Sequence, residues 1–159
     1  METYQVGLIA LGLFSLFAIT ALITWRRRTA VQALLLEVPV GIESSFAATN
    51  CFYVATTFSE RPLERVIAHR LAHRGHARLA VTGAGVEVSR VGEFGFLIPT
   101  ADVIEVSLGS AVIDRAVEKE GLVVIKWRLG AVELQTHFRF VSSELRSEAL
   151  EALKPLVGA

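Results

Sequence analysis

A single cysteine, Cys51, in 159 residues excludes an intramolecular disulfide and any multi-cysteine metal site. Only 3 of the 16 basic side chains are lysine, so positive charge resides almost wholly on arginine, whose planar fork suits bidentate phosphate contacts. Aspartate is limited to Asp102 and Asp114, and no Gly-x-Ser-x-Gly elbow accompanies them, so a serine-hydrolase constellation has no support. No charge of one sign prevails: 16 basic groups cancel 16 acidic ones, which excludes a strongly basic nucleic-acid binder and an acidic disordered tail. The most informative absence is local. From Val6 to Trp25, twenty residues pass without a charged side chain.

That run raises the hydrophobic fraction to 52% and the mean hydropathy to +0.49. As a helix it extends about 30 Å, the thickness of a bilayer's hydrocarbon core. Lipid requires every backbone amide to be satisfied within the segment, which only a helix does for a single span. Tyr4 and Trp25 flank the run, where amphipathic rings favour the headgroup region, and Arg26, Arg27 and Arg28 follow at once. A cleaved signal peptide would carry positive charge before its apolar core, whereas Glu2 is the only charged side chain there. The positive-inside rule puts Arg26–Arg28 in the cytoplasm, so the expected topology is single-pass in the cell membrane, N-terminus out and the C-terminal domain cytoplasmic. The span has no ionisable group for an ion path and no Gly, Ala or Ser pair four apart for close helix packing. It reads as an anchor.

The neutral total conceals a polarised chain. Residues 26–78 carry eight arginines against four glutamates, for +4, while residues 79–159 carry eight basic and eleven acidic groups, for −3. Residues 1–28 are expected to form the anchor with its Arg stop, and residues 29–45 a juxtamembrane helix and linker with Val31, Leu34 and Leu35 on one face, ending before Pro39. Gly41–Asn50 is small and polar, as a tether is. Residues 46–159 are expected to form the cytoplasmic domain.

In that domain the dominant period is two. Cys51–Phe58 is rich in aromatic and β-branched residues. Ala77–Thr82 and Val86–Ser89 alternate around a Gly83-Ala84-Gly85 turn, and Phe94–Ile98 and Val103–Leu108 are shorter strands separated by Pro99. Val123, Ile125, Trp127 and Leu129 share one face; Val132, Leu134, Thr136, Phe138 and Phe140 share the face opposite across a Gly130-Ala131 turn. That register sets Arg128 against Glu133 as an exposed ion pair worth at most about 1 kcal/mol. Ser142 then caps a helix with the stripe Leu145, Ala149, Leu153 and Leu156. Glu144 and Glu148 lie towards its positive end.

About seven strands followed by one amphipathic helix is the element order of a pleckstrin-homology (PH)-like domain, a partly open barrel capped by its C-terminal helix. The segments YVATTFSERPLERVIAHRLAHRGHARLAVTGAGVEV, FLIP and VVIKWRLGAVELQTHF resemble a family of small actinobacterial membrane proteins with one N-terminal span and a cytoplasmic domain of this type. The resemblance covers nearly the whole chain. It implies fold and topology; the family, whose members carry membrane, export or transporter labels, has no defined activity, and no catalytic residue follows from it.

The motifs that could carry chemistry are few. Gly83-Ala84-Gly85 lacks a dinucleotide fingerprint's third small residue, since position 88 is Val88. His69 and His73 would share a face if IAHRLAHRGH were helical, but no Glu follows His69, and Arg70 and Arg74 repel a cation, so His69, His73 and His76 read as exposed rather than as a metal site. Asp114-Arg115 and Glu118-Lys119-Glu120 read as a solvated loop, and Cys51 as buried packing. No enzyme, cofactor, metal or nucleic-acid site is expected. What remains is basic: Arg61, Arg65, Arg70, Arg74 and Arg78 follow the first strand of the domain, opposed there only by Glu60 and Glu64. In PH folds that loop often frames an anionic headgroup, so by resemblance these arginines are candidate lipid contacts; as ordinary surface groups each would instead pair with the acidic 79–159 half. The reading is a non-enzymatic, membrane-tethered module that binds a protein partner, anionic phospholipid, or both; the alternative is an adaptor subunit of a transport or envelope complex.

Overall fold

The computed structural model describes residues 3–37, 39–42, 48–109 and 121–158. Helix α1 runs unbroken over Thr3–Leu35, 33 residues and roughly 50 Å. It contains a window of mean hydropathy 2.5, none of it buried, and is long and apolar enough to cross a membrane. Thr20, Thr24 and Thr29 each donate their hydroxyl to the carbonyl four residues back, at 3.0, 2.8 and 3.0 Å, so none is left unsatisfied on an apolar surface. The helix does not present Val31, Leu34 and Leu35 to the domain: all three are exposed, Leu34 at 88%. Gln32, 6% exposed, and Leu36 face inward instead. Residues four apart share a helix face, so once the domain takes Gln32 and Leu36 the expected apolar face must point away.

Nine strands form one antiparallel sheet: β1 (Val40–Gly41), β2 (Thr49–Phe58), β3 (Arg61–Arg65), β4 (Gly75–Thr82), β5 (Gly85–Arg90), β6 (Phe96–Pro99), β7 (Val103–Gly109), β8 (Leu122–Leu129) and β9 (Val132–Arg139). Their order is β1-β6-β5-β4-β2-β9-β8-β7, with β3 folded back on β2; among the described residues the sheet does not close. Two strands exceed the expected seven. β1 pairs with β6 at only two positions, inside the stretch that reads as linker and tether, and β3 pairs with β2 at Thr57–Arg65 and Phe58–Arg61 around a bulge. Neither has the alternating apolar pattern that marks a strand, and Pro62 argues against one in β3. Positions 43–47 and the expected Asp114-Arg115 and Glu118–Glu120 loop lie outside the described residues.

The local turns follow the sequence. Thr82 faces Gly85 across Gly83-Ala84, and Gly85 has φ +141 with room for no side chain, since a Cβ there would sit 2.0 Å from the Ile98 carbonyl oxygen. Leu129 faces Val132 and Arg128 faces Glu133, with Gly130 at φ +60 as a primed turn requires. The expected Arg128–Glu133 pair is superseded, because the Glu133 carboxylate closes on Lys126 Nζ at 2.7 Å, on the same face two residues along. Hydrogen bonding and charge from Lys126 hold that carboxyl below its usual range.

Val123, Ile125, Trp127, Leu134, Thr136 and Phe138 are fully buried on one face of the β8–β9 hairpin, as their alternation requires. Phe96 stacks on Trp127 at 6.1 Å, and Tyr53 meets Phe96 and Phe138 edge-on. A chain of hydrogen bonds crosses this core: Trp127 Nε1 to Thr136 Oγ1 (2.8 Å), Thr136 to Thr56 (2.8 Å), Thr56 to the Tyr53 hydroxyl (2.7 Å), and that hydroxyl to the Leu71 carbonyl (2.7 Å). The indole can only donate and the Leu71 carbonyl can only accept. Each hydroxyl has one proton, so every donor runs in one direction from β8 to residue 71. Helix α2 (Ser143–Leu153) covers one end, with Ser142 Oγ accepting from Leu145 N at 3.3 Å and Ala149, Leu153 and Leu156 buried. Its own backbone N–H and the Ser142 and Ser143 hydroxyls hold the Glu144 carboxyl below its ordinary range.

Candidate anion-binding surfaces

Positive charge gathers around two hollows. The first lies where α1 meets the β2–β3 hairpin. The reversal after Phe58 lays the Arg61 guanidinium 4.8 Å over the Phe58 ring and brings β3 beside α1. Glu64 lies between the two elements: Arg61 Nη1 approaches Oε2 at 2.6 Å, and Arg28 Nη2 approaches Oε1 at 3.8 Å. The hollow, about 690 Å³, is lined by Arg28, Arg61, Glu64, Arg65 and Ile67 among others. An adjoining one of about 450 Å³ adds Arg27, Ile23 and Thr24 from α1 and Phe58 from β2. Four guanidinium groups thus surround one carboxylate, a net charge of +3 over a partly apolar floor.

The second hollow, also about 690 Å³, lies between β5, β6 and the turn Ala68–Arg70. Val86 and Val88 are fully buried, and period two places Arg90 on the same inward face, 9% exposed. Its guanidinium lies 5.1 Å from the Tyr53 ring centre and 5.3 Å from that of Phe96. It donates Nε and Nη2 to the Phe94 carbonyl (3.1 and 2.9 Å) and Nη1 to the Arg70 carbonyl (2.9 Å). Burial pulls its pKa below the ordinary arginine value. Among the described residues no carboxylate forms an ion pair with it. Glu93 instead binds His73 Nδ1 at 2.9 Å and Arg70 Nη1 at 3.1 Å, and these two, His73 first, hold the Glu93 carboxyl below its usual range.

The turn between the hollows is strained and heavily held. His69 and Arg70 have φ of 53 and 57, left-handed at two successive residues with side chains, at a cost of roughly 1–2 kcal/mol each. Gln32 Oε1 accepts from Ile67 N (2.7 Å) and Ala68 N (3.3 Å), His69 Nε2 donates to the Leu36 carbonyl (3.3 Å), and the Leu71 carbonyl also receives Thr56 N (3.0 Å). The turn therefore ties α1 to the core network.

The five arginines after the first domain strand do not form one patch. Arg61 and Arg65 join the α1 hollow, and Arg70 stands at the rim of the Arg90 hollow. Arg74 is exposed beyond the turn, and Arg78 stands on β4 between Asn50 and Ser89. The histidines separate likewise: His69 reaches α1, His73 reaches Glu93, and His76 packs edge-on against Phe52 at 5.6 Å. IAHRLAHRGH forms a tight 3-10 turn at Ala68–Arg70 and enters β4 at Gly75, with no α-helix, so His69 and His73 share no helix face. Among the described residues no three His, Cys, Asp or Glu side chains cluster as metal ligands would. Cys51 is buried, which pushes its thiol up to about 12 and leaves it protonated at neutral pH.

An antiparallel sheet that stays open, with a helix over one end and a second helix docked on its side, defines a PH-like binding module. The profile of the family described as bacterial PH domain-like matches residues 32–154, and the chain belongs to that family. The match begins at Gln32, whose amide joins α1 to the turn. No curated protein and no solved structure matches the chain.

Proposed function

We propose that the protein is a non-enzymatic binding module held at the cytoplasmic face of the cell membrane by α1, and that it engages anionic lipid headgroups through Arg27, Arg28, Arg61 and Arg65. The observation that carries this reading is that arginines of the helix and of the β2–β3 hairpin line adjoining hollows whose walls also include Ile23 and Thr24. Tyr4 and Trp25 project from α1 21 residues apart, or roughly 31 Å, a separation that fits a bilayer core and supports a headgroup-level position for Arg26–Arg28. At about 1 kcal/mol per basic group near an anionic surface, the net +3 supplies about 3 kcal/mol, roughly a hundred-fold preference. Arg70, Arg74 and Arg78 lie apart from this site, so of the five candidate arginines Arg61 and Arg65 remain, joined by Arg27 and Arg28 of the helix.

The test uses full-length protein in phosphatidylcholine bilayers doped with spin-labelled phosphatidylglycerol or phosphatidylcholine. Motionally restricted phosphatidylglycerol should exceed restricted phosphatidylcholine several-fold, and an Arg61→Ala/Arg65→Ala variant, which cuts the net charge from +3 to +1, should remove most of the excess. Equal restriction of the two lipids rejects the headgroup site. One observation favours an adaptor role alongside: Val31, Leu34 and Leu35 remain exposed beyond the arginine triplet. Crosslinking in cells from position 34 should capture a stoichiometric membrane partner if that role holds, and only the lone chain if it does not.

A further inference from the structure

Arg90 is the buried cation that headgroup binding does not use. A guanidinium has five N–H groups. Three of them here meet the neutral carbonyls of Phe94 and Arg70, which leaves one N–H on Nη1 and one on Nη2. The charge has no carboxylate in ion-pair contact among the described residues, and burial already works against it. A second cation, Arg70, stands at the rim with its charge shared with Glu93. Apart from His69, whose ring is bonded to the Leu36 carbonyl, the remaining side chains of the wall are apolar: Pro39 and Ile42 from the strap after α1, Leu71 from the turn, and Phe94 and Phe96 from the opposite side. Phe94 is 84% exposed at this wall, a large aromatic ring left mostly in water.

We propose that this cavity binds a small water-borne organic anion, its carboxylate-type head on the Nη1 and Nη2 of Arg90 and its apolar body against Ile42, Phe94 and Phe96. The volume, about 690 Å³, suits a small-molecule ligand. An acyl chain in the bilayer is not the source. With α1 spanning the membrane, Leu35 lies ten residues and about 15 Å beyond Trp25, and the strap that walls the cavity follows later still. That exclusion rests on the spanning reading of α1; the chemistry of the cavity does not. Arg90 also closes the Arg70 carbonyl down on the turn that binds Gln32, so an anion on Arg90 would load the same turn that holds the helix.

The test uses full-length protein with Trp25→Phe in phosphatidylcholine vesicles at neutral pH. Trp127, stacked on the cavity residue Phe96, then remains as the only tryptophan reporter. The probes are 4-phenylbutyrate and its neutral analogue 4-phenylbutanol. Phenylbutyrate should produce a saturable change in Trp127 emission and bind about ten-fold more tightly than the alcohol, as a charge-assisted contact predicts. Phe94→Ala and Arg70→Gln, both at exposed side chains, should each weaken phenylbutyrate by about three-fold or more. Absence of saturation up to ~10 mM, equal affinity for the alcohol, or wild-type affinity in both variants overturns the proposal. The zwitterionic bilayer keeps headgroup binding out of the signal, so either reading can fail while the other stands.

Discussion

Replacing Gln32 with alanine removes the one side-chain oxygen that receives the amides of Ile67 and Ala68, at 2.7 and 3.3 Å. Both amides then lose their acceptor in a buried or half-buried setting. The short bond is worth about 1–1.5 kcal/mol and the long one about half that, for a combined loss of about 2 kcal/mol. The turn they open holds His69 and Arg70 in left-handed backbone, so strain is relieved as it opens. Hydrogen exchange on full-length protein reads this directly: 2 kcal/mol less opening energy speeds exchange at Ile67 and Ala68 by about 30-fold. Amides within β8 and β9 should change little. Gln32→Glu keeps an acceptor oxygen at the same reach and should restore most of the protection. Unchanged exchange at both amides in the alanine variant, or equal loss in the glutamate variant, would refute the view that this side chain clamps helix to domain.

Thr136→Val keeps the side-chain shape but deletes the hydroxyl that accepts from the Trp127 indole and donates to Thr56. Leaving the buried indole N–H without an acceptor should cost about 1–3 kcal/mol in urea unfolding, and a double-mutant cycle with Trp127→Phe should show coupling of about 1 kcal/mol; strict additivity counts against the one-way chain. Burial lowers the His137 pKa from 6.5 to about 4, so the unfolded chain takes up its proton first as the solution is acidified. Stability should be full above pH 6.5 and fall by up to about 3 kcal/mol towards pH 4, the upper part of the drop preceding carboxylate titration. In His137→Gln the thermal midpoint should be flat between pH 6.5 and 5; a wild-type slope there contradicts the assignment.

What could be read in advance was local. The alternation of Val123–Leu129 and Val132–Phe140 and the Gly130-Ala131 turn specify a hairpin within eighteen residues, and the structure has it in the expected register. The same holds for the Ser142 cap and its apolar stripe. Features set by distant contacts were hidden. Gln32 in RRRTAVQALL looks like any solvent-facing polar residue, and only the amides 35 and 36 positions away bury it. β3 carries Pro62 and three charged residues, so its pairing leaves no trace in hydropathy. The arginine triplet reads as a topology signal, yet Arg27 and Arg28 share hollows with Arg61. Arg90 did have a signal: it continues the inward series Val86, Val88, but the acidic sum over residues 79–159 conceals one cation on a core face.

The unbroken run of α1 from Thr3 to Leu35 makes the connection to the domain a shaft rather than a leash. Its last turns are gripped by the domain at Gln32 and Leu36, with no glycine or proline between Trp25 and Leu36 at which to swivel. Rotation of the shaft about its own axis is therefore rotation of the domain. The angular setting depends on how many residues separate the apolar stretch from Gln32, because each residue advances a helix by about 100° and only 1.5 Å. Adding one residue there would swing β2–β3 to another side of the shaft while barely changing its height. Adding seven would restore the angle to within about 20° and lift the domain by about 10 Å. Bearing and elevation are thus written separately into one short stretch of helix.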